Sequence, residues 1–541
     1  MILAPAAMMW LFAGAVMATV ALAQNMPTVK IQNGTLQGIK CPSTDVNAFF
    51  SIPYAKPPVR FSAPKPYDQE FNGTLNATVA APSCPQFYAA WAETGPQSED
   101  CLYLDIWVPS SAQTRNTSSL PVKVWLYGGA DLAGGISDPL YDGCFASEST
   151  IQVSVNYRVG PLGYLAYSPL GLTGNYGTQD QLLALRWVHE NIASFGGNPT
   201  RVMLFGQSAG ADNTFILSSN PDAAKILHSA VLQSGSYPLF PSITSASKAN
   251  QAFISQLNCS DPTTGLACLR NANITAMTTL FQSSGAATAS TFGPVLDHAI
   301  IPSQPAHPLV PTIVGSTTQE GSLLVAGYNP NATAYTQADY LAWLATTFPG
   351  ANPATTTSLA DTIAAAYPPS RFANNSASQP PIFAAMSTIT TLAQFTCPAR
   401  RLLRALAAAH VPAWTYRFGR TPSCAWFPPI AAAGGPEALR FLGATHTAEI
   451  PFVMGQVSGL PRPDGGCDLT EGERRLSGFL MGAWDRMAEG AKPGVEGWGS
   501  WKEGPGGGKG LNVLADATWA VEEVDFEGCD FWDEIAAAMA L

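Results

Sequence analysis

Gly206-Gln207-Ser208-Ala209-Gly210 follows the apolar run Val202-Met203-Leu204-Phe205 and leads into the helix-compatible Asp212-Asn213-Thr214-Phe215-Ile216-Leu217. The pattern predicts a strand, a sharp turn and a helix, with serine at the apex. A serine hydroxyl attacks a carbonyl only when it is exposed, loses its proton during attack and lies beside donors that stabilise the oxyanion. A strained strand-to-helix turn meets these needs, and glycines two residues either side of the serine clear space around it. The chemistry to expect is acyl transfer.

That serine needs a base, and an acid to orient the base. Of the six histidines, His189 and His228 lie in helix-like runs beside the turn, while His298, His307 and His410 lack motif context. His446 lies in Gly443-Ala444-Thr445-His446-Thr447-Ala448-Glu449. Glu320 follows the β-rich run Thr312 to Val314, in Gly315-Ser316-Thr317-Thr318-Gln319-Glu320-Gly321, and Asp297 is its competitor as the acid. Glu449 is so close to His446 in sequence that its expected role is a polar contact fixing the loop.

The elements that must hold these groups alternate. Val122 to Tyr127, Ile151 to Tyr157, Arg201 to Phe205, Thr312 to Val314 and Trp414 to Phe418 read as short strands. A helix is predicted from about Thr178 to Ser194, with Leu182, Leu185, Trp187, Val188 and Ile192 on one side. Such alternation points to an α/β fold, a mostly parallel sheet flanked by helices, with chemistry gathered beyond the carboxyl ends of the strands.

At 541 residues and 46% hydrophobic, the chain can bury a large core. No boundary demands several domains, so residues 24–541 are expected to form one. Gly504 to Gly510 is taken as a surface loop. Residues 1–23 read as a signal peptide, with Ala21-Leu22-Ala23 as the small-x-small cleavage site; no later segment looks membrane-spanning. N-glycosylation sequons at Asn33, Asn72, Asn76, Asn116, Asn258, Asn273, Asn331 and Asn374, together with ten cysteines, agree with export. Without a CxxC, an HExxH or a Cys/His cluster of ligand spacing, disulfides are expected rather than a metal site. A formal charge of −11 disfavours nucleic acid and anionic membranes as partners.

Phe195 to Gly210 resembles the serine signature of the type-B carboxylesterase and cholinesterase-like family of α/β-hydrolases, and Ser98-Glu99-Asp100-Cys101-Leu102-Tyr103-Leu104-Asp105-Ile106-Trp107-Val108-Pro109 its second signature. Ser51 to Ala55, Asn156 to Arg158, Gly174 to Gly177, Gln233 to Ser236 and Cys529 to Trp532 are similar too, in the family's order. The overall flavour resembles secreted fungal members. The resemblance implies a Ser208, Glu320, His446 triad and no cofactor. It also implies an oxyanion hole from the N–H groups of Ala209, Gly129 and Ala130, in a turn where Ala130 and Asp131 depart from the usual third glycine and aromatic. Asp131 is expected to face away from the hole. By resemblance Cys84 pairs with Cys101 and Cys259 with Cys268, and Glu99 forms an ion pair with Arg158. The remaining six cysteines allow fifteen pairings, of which Cys397 with Cys424 is the guess.

The first disulfide loop carries Phe87, Tyr88 and Trp91, either an ordinary flap or a wall of the substrate gorge. Trp91 lies at the spacing of the cholinesterase choline-binding tryptophan, but the glutamate of that site is the neutral Gln207 here. These features imply a secreted hydrolase of small neutral esters of short to medium acyl chain, or aryl esters. Alternatives are a lipase or cholinesterase-like enzyme, a transacylase or cyclase of a specialised metabolite, and a non-catalytic adhesion module. The sequence is silent on oligomeric state.

Overall fold

A computed structural model describes residues 26–88, 95–114, 119–283, 292–351, 356–374, 379–461, 465–504 and 508–539. The signal-peptide reading, Trp91 and the Asn116 sequon lie outside them. The dominant element is an eleven-stranded sheet. In chain order its strands are β1 (Ile39–Lys40), β2 (Val46–Pro53), β3 (Tyr103–Pro109), β4 (Leu120–Leu126), β5 (Ile151–Val155), β6 (Gly197–Gln207), β7 (Ser229–Gln233), β8 (Thr312–Thr317), β9 (Ala413–Phe418), β10 (Lys509–Val513) and β11 (Trp519–Glu523). Across the sheet they run β11-β10-β9-β8-β7-β6-β4-β5-β3-β2-β1. Those from β10 to β5 are mutually parallel, and antiparallel strands finish both edges.

The central strands are apolar on both faces, as a parallel sheet covered by helices requires. On one face Trp125, Phe205, Val231, Ile313 and Trp414 meet Leu476, Leu480 and Trp484 of α6 (Glu471–Gly490). On the other, Val124, Leu126, Val202 and Leu204 meet Leu182, Leu185, Trp187 and Val188 of α1 (Tyr176–Asn191). The helix expected from Thr178 thus starts two residues earlier, and its end passes into a 3₁₀ turn over Ile192–Phe195. The strands fall where the β-rich runs predicted them; β6 is longer at both ends, reaching Gln207 so that Ser208 follows it directly. The Gly-rich run ends inside β10, so Lys509 and Gly510 are strand rather than loop. Further helices are α2 (Ala209–Ser219), α3 (Glu320–Tyr328), α4 (Pro381–Thr391), α5 (Cys397–Ala408) and α7 (Cys529–Met539).

All ten cysteines are paired. Cys84–Cys101 and Cys259–Cys268 form as the resemblance implied. The guess of Cys397 with Cys424 is wrong: Cys397, opening α5, pairs with Cys529 at the start of α7, Cys424 pairs with Cys467, and Cys41 with Cys144. The Glu99–Arg158 ion pair is also corrected. Arg158 is buried against Asp180 on α1 at 2.7 Å, whereas Glu99 pairs with Arg60 at 2.6 Å. A guanidinium this buried needs an equally buried acid, and half-exposed Glu99 could not supply one. Of the sequons, Asn33 is buried and its Nδ2 donates to Tyr67 O and Gln69 O, so it is no acceptor; Asn72, Asn76, Asn258, Asn273, Asn331 and Asn374 are exposed.

Candidate active site

Ser208 occupies the turn between β6 and α2 with φ 59° and ψ −130°, a conformation L-residues rarely hold. The flanking glycines are required by close approach. A Cβ on Gly206 would fall on the backbone of Gly210, and one on Gly210 would fall on Leu126 O and Tyr127 O. The serine is half-buried and, with Ala130, Asp131 and Ala209, borders a cleft of about 620 Å³. Leu239, Phe240, Phe292, Leu324, Tyr328 and Phe395 give the cleft much apolar wall.

Two strands along, Glu320 is the first residue of α3, fully buried. Its Oε1 accepts the Thr317 N–H at 2.7 Å, and its Oε2 lies 2.6 Å from His446 Nδ1. A contact this short between carboxylate and imidazole is a charge-assisted hydrogen bond once the ring is protonated. Asp297 is elsewhere engaged, capping a turn by accepting the N–H groups of Ala299, Ile300 and Ile301. The structure therefore brings Glu320, and not Asp297, to His446.

The loop carrying His446 is fastened to α3 by residues that sequence reading missed. Gln319 N donates to Ala444 O at 3.0 Å, and Ala444 N to Gln319 Oε1 at 2.8 Å. Thr445 Oγ1 accepts Leu323 N at 2.9 Å and lies 2.7 Å from Ser322 Oγ. Glu449 anchors the same loop to β7, accepting from Gln233 Nε2 at 3.3 Å, while Trp484 Nε1 donates to Gln233 Oε1 at 3.1 Å. Desolvation, with the nearby Glu320 charge, pushes Glu449 up to about 7. Glu449 thus makes the loop-fixing polar contact expected of it, whereas Gln319, Ser322 and Thr445 carry no local sequence signal, because their bonds join segments distant along the chain.

Gln207 reaches the imidazole directly. Its Nε2 lies 3.2 Å from His446 Nε2 and 3.4 Å from Nδ1. Near-equal approach to both ring nitrogens puts the amide over the ring face, since in the ring plane Cε1 would stand in the way. The Phe395 ring packs against the imidazole from 5.1 Å. His446 is thus held between the residue preceding Ser208 and a cleft wall. Gln207 also lines a second, smaller pocket of about 80 Å³ with Gly128, Gly129, Trp426, Phe427 and Thr447. In the first disulfide loop, Phe87 is buried against Phe281, and Tyr88 lies 5.5 Å from Tyr328 at the cleft edge. The loop thus touches a residue that lines the cleft.

The turn Gly128–Asp131 after β4 lies beside Ser208. A Cβ on Gly128 would meet Gln207 O at 2.7 Å and Ser208 Cβ at 3.0 Å. Ala130 and Asp131 both hold φ 58°, which costs non-glycine residues roughly 1 kcal/mol each. The Asp131 carboxyl accepts from Asn213 Nδ2 at 2.7 Å and borders the cleft. Burial pushes this carboxyl up to about 7 and that of Asp212 up to about 6. Asp212 accepts the N–H groups of Ser236 and Tyr237, fixing the segment after β7 that borders the cleft. Among the described residues no group of three or more His, Cys, Asp or Glu could hold a metal ion.

Comparison with known proteins finds similar chains over most of the sequence. The family model described as the carboxylesterase family matches residues 25–523. The para-nitrobenzyl esterase of Bacillus subtilis (strain 168) is 30% identical over 496 residues, covering 86% of this chain and 91% of the relative. The fumonisin B1 esterase of Sphingopyxis macrogoltabida is 31% identical over 447 residues, covering 78% and 74%. The acetylcholinesterase-1 of Trittame loki is 29% identical over 508 residues, covering 86% of each.

Proposed function

As the chain belongs to the carboxylesterase family of α/β-hydrolases, and is a carboxylic ester hydrolase acting on small esters, we propose that it works through an acyl-Ser208 intermediate on neutral short- to medium-chain or aryl esters. The observation that carries this reading is the buried 2.6 Å contact of Glu320 with His446, whose ring touches Gln207, the residue preceding the strained Ser208. His446 takes the serine proton as Oγ attacks the ester carbonyl, then returns it to the leaving alcohol. It next draws a proton from water, which attacks the acyl-enzyme, and returns that proton to Ser208 Oγ as the ester bond to the enzyme breaks and the acid leaves. Glu320 holds the ring orientation and stabilises the imidazolium. The N–H groups of Gly129, Ala130 and Ala209 receive the oxyanion of both tetrahedral intermediates.

Substrate choice follows from the walls. The apolar side chains of the 620 Å³ cleft suit an alkyl or aryl group, and the 80 Å³ pocket suits only a small one. Gln207 puts an amide, not a carboxylate, beside the ring, so a cationic alcohol gains no charge partner from it. The first disulfide loop is too short to serve as the broad amphipathic lid of a lipase. Five disulfides and the absence, among the described residues, of a helix able to cross a membrane are compatible with an extracellular protein. With the signal-peptide pattern they support secretion of residues 24–541, folded as one domain.

The test is kcat/KM for 4-nitrophenyl butyrate, an emulsified long-chain triglyceride, and a choline ester with its uncharged isostere, each with native chain and Ser208→Ala. The short nitrophenyl ester should win, and Ser208→Ala should lose turnover on the order of 10⁴-fold or more. Triglyceride or choline-ester preference refutes the substrate class; surviving turnover in Ser208→Ala refutes the acyl-enzyme.

A further inference from the structure

Asp131 stands where the chain leaves the turn beside Ser208, and three consecutive residues there, Gly129, Ala130 and Asp131, have positive φ. Such a turn needs external support to persist. Asp131, whose carboxyl also meets the Tyr164 side chain, supplies two ties. Its main-chain oxygen accepts the Gly160 N–H at 2.5 Å, and its carboxyl accepts from Asn213 Nδ2 at 2.7 Å. Asn213 is fully buried on α2, the helix that begins at Ala209. One hydrogen bond thus joins the turn bearing Gly129 and Ala130 to the helix bearing Ala209.

We propose that Asp131 is a positioning residue for ester cleavage: through Asn213 it clamps the turn onto α2, fixing the spacing between the Gly129–Ala130 donors and that of Ala209. The inference rests on the oxyanion hole assigned above. A hole works because its donors are pre-set where charge will develop. A donor that drifts when its support is removed still binds the ground-state carbonyl but serves the transition state poorly, so the loss falls on kcat more than on KM.

Charge matters as well as shape. Asp131 borders the same cleft as Ser208, and an ionised carboxylate there opposes a second negative charge on the intermediate. The groups that face it are Asp212 and Asn213 on α2, Tyr164 on the short helix Gly160–Tyr164, and Tyr157 after β5. Asp212 is of like charge, and no cation figures among the causes that shift Asp131. Burial holds the carboxyl up to about 7. It is therefore mostly neutral below that pH, where it still accepts the Asn213 bond, and ionised above it.

The experiment measures kcat and KM of the full chain on 4-nitrophenyl butyrate from pH 5.5 to 9, for native protein, Asp131→Asn and Asp131→Ala, with melting temperatures alongside. Native kcat should decline above pH 7. Asp131→Asn keeps the acceptor but cannot ionise, so its alkaline decline should vanish, and at pH 9 it should exceed the native chain by about tenfold. Asp131→Ala removes the clamp and should lose kcat by about tenfold to a hundredfold at every pH, with KM within about twofold. An unchanged alkaline decline in Asp131→Asn overturns the charge effect, and native kcat in Asp131→Ala overturns the clamp. Should Asp131→Ala not fold, Asn213→Leu removes the same bond from the helix side and must show the same kcat loss. Ser208→Ala separates the two readings: turnover surviving there overturns the site itself, whereas its loss with native behaviour at Asp131 overturns only this inference.

Discussion

Glu320→Gln isolates the charge of the carboxylate from its shape. The amide oxygen can still accept the Thr317 N–H, now 2.7 Å from Oε1, so α3 keeps its start and the fold should survive. What is lost is the negative charge beside His446 Nδ1, 2.6 Å from Oε2 in a fully buried setting. With charge centres about 4 Å apart and an effective dielectric constant near 20, that interaction stabilises the imidazolium by about 4 kcal/mol. Serine attack puts positive charge on the ring, so the interaction strengthens in the transition state and its loss falls on the barrier. At 1.36 kcal/mol per factor of ten, kcat should fall about 10³-fold. The assay is stopped-flow acylation with 4-nitrophenyl acetate at pH 7.5, with circular dichroism to confirm the fold. A kcat within tenfold of the parent would refute the reasoning, and doing so while Asp297→Asn is inactive would move the acid role to Asp297.

Gly210→Ala should abolish both activity and labelling by a serine-directed organophosphate, because the new methyl lands on Leu126 O and Tyr127 O; retained labelling would show that the turn tolerates a Cβ. Peptide mapping under non-reducing conditions should recover Cys41–Cys144, Cys397–Cys529 and Cys424–Cys467 beside the two short-loop disulfides, and a Cys397–Cys424 peptide would contradict the fold at α5. Glu449 is raised from 4.5 to about 7 in the folded chain, so its neutral form contributes stability that is full below about 4.5 and is lost as pH rises through 7. Glu449→Gln should therefore flatten the fall in denaturant midpoint between pH 5 and pH 8, by up to about 3 kcal/mol. An equally steep fall in the variant would mean the carboxyl is ionised in the native state.

The strands were legible because continuous β-rich runs need burial on both faces, and the serine turn because its glycines are contiguous in sequence with Ser208, although Gly210 is demanded by the distant backbone of Leu126 and Tyr127. Glu320 and His446 were found by motif, but the bond between them crosses from the end of β8 to the loop beyond β9, and no spacing rule encodes it. Arg158 was misassigned because Asp180, its true partner, sits inside a helix whose sequence looks ordinary. The wrong cysteine pairing had the same origin: Cys397 and Cys529 are 132 residues apart, and only the packing of α5 against α7 selects them. Gln319, Ser322 and Thr445 were overlooked because a polar residue beside a functional one carries no mark of whether it supports the site or faces water.

The pairings also define a covalent topology. Cys41–Cys144 and Cys397–Cys529 close two large rings, one holding the first disulfide loop and the turn at Gly128–Asp131, the other holding His446 and α6. Chain scission at a surface loop within either ring releases no fragment: the two pieces stay joined through sulfur, and the severed ends remain beside their packed partners. Ser208 and Glu320 lie between the rings and have no such tether. A single cut within either ring is therefore survivable in place, whereas the connecting stretch that carries Ser208 and Glu320, its short Cys259–Cys268 loop apart, relies on packing.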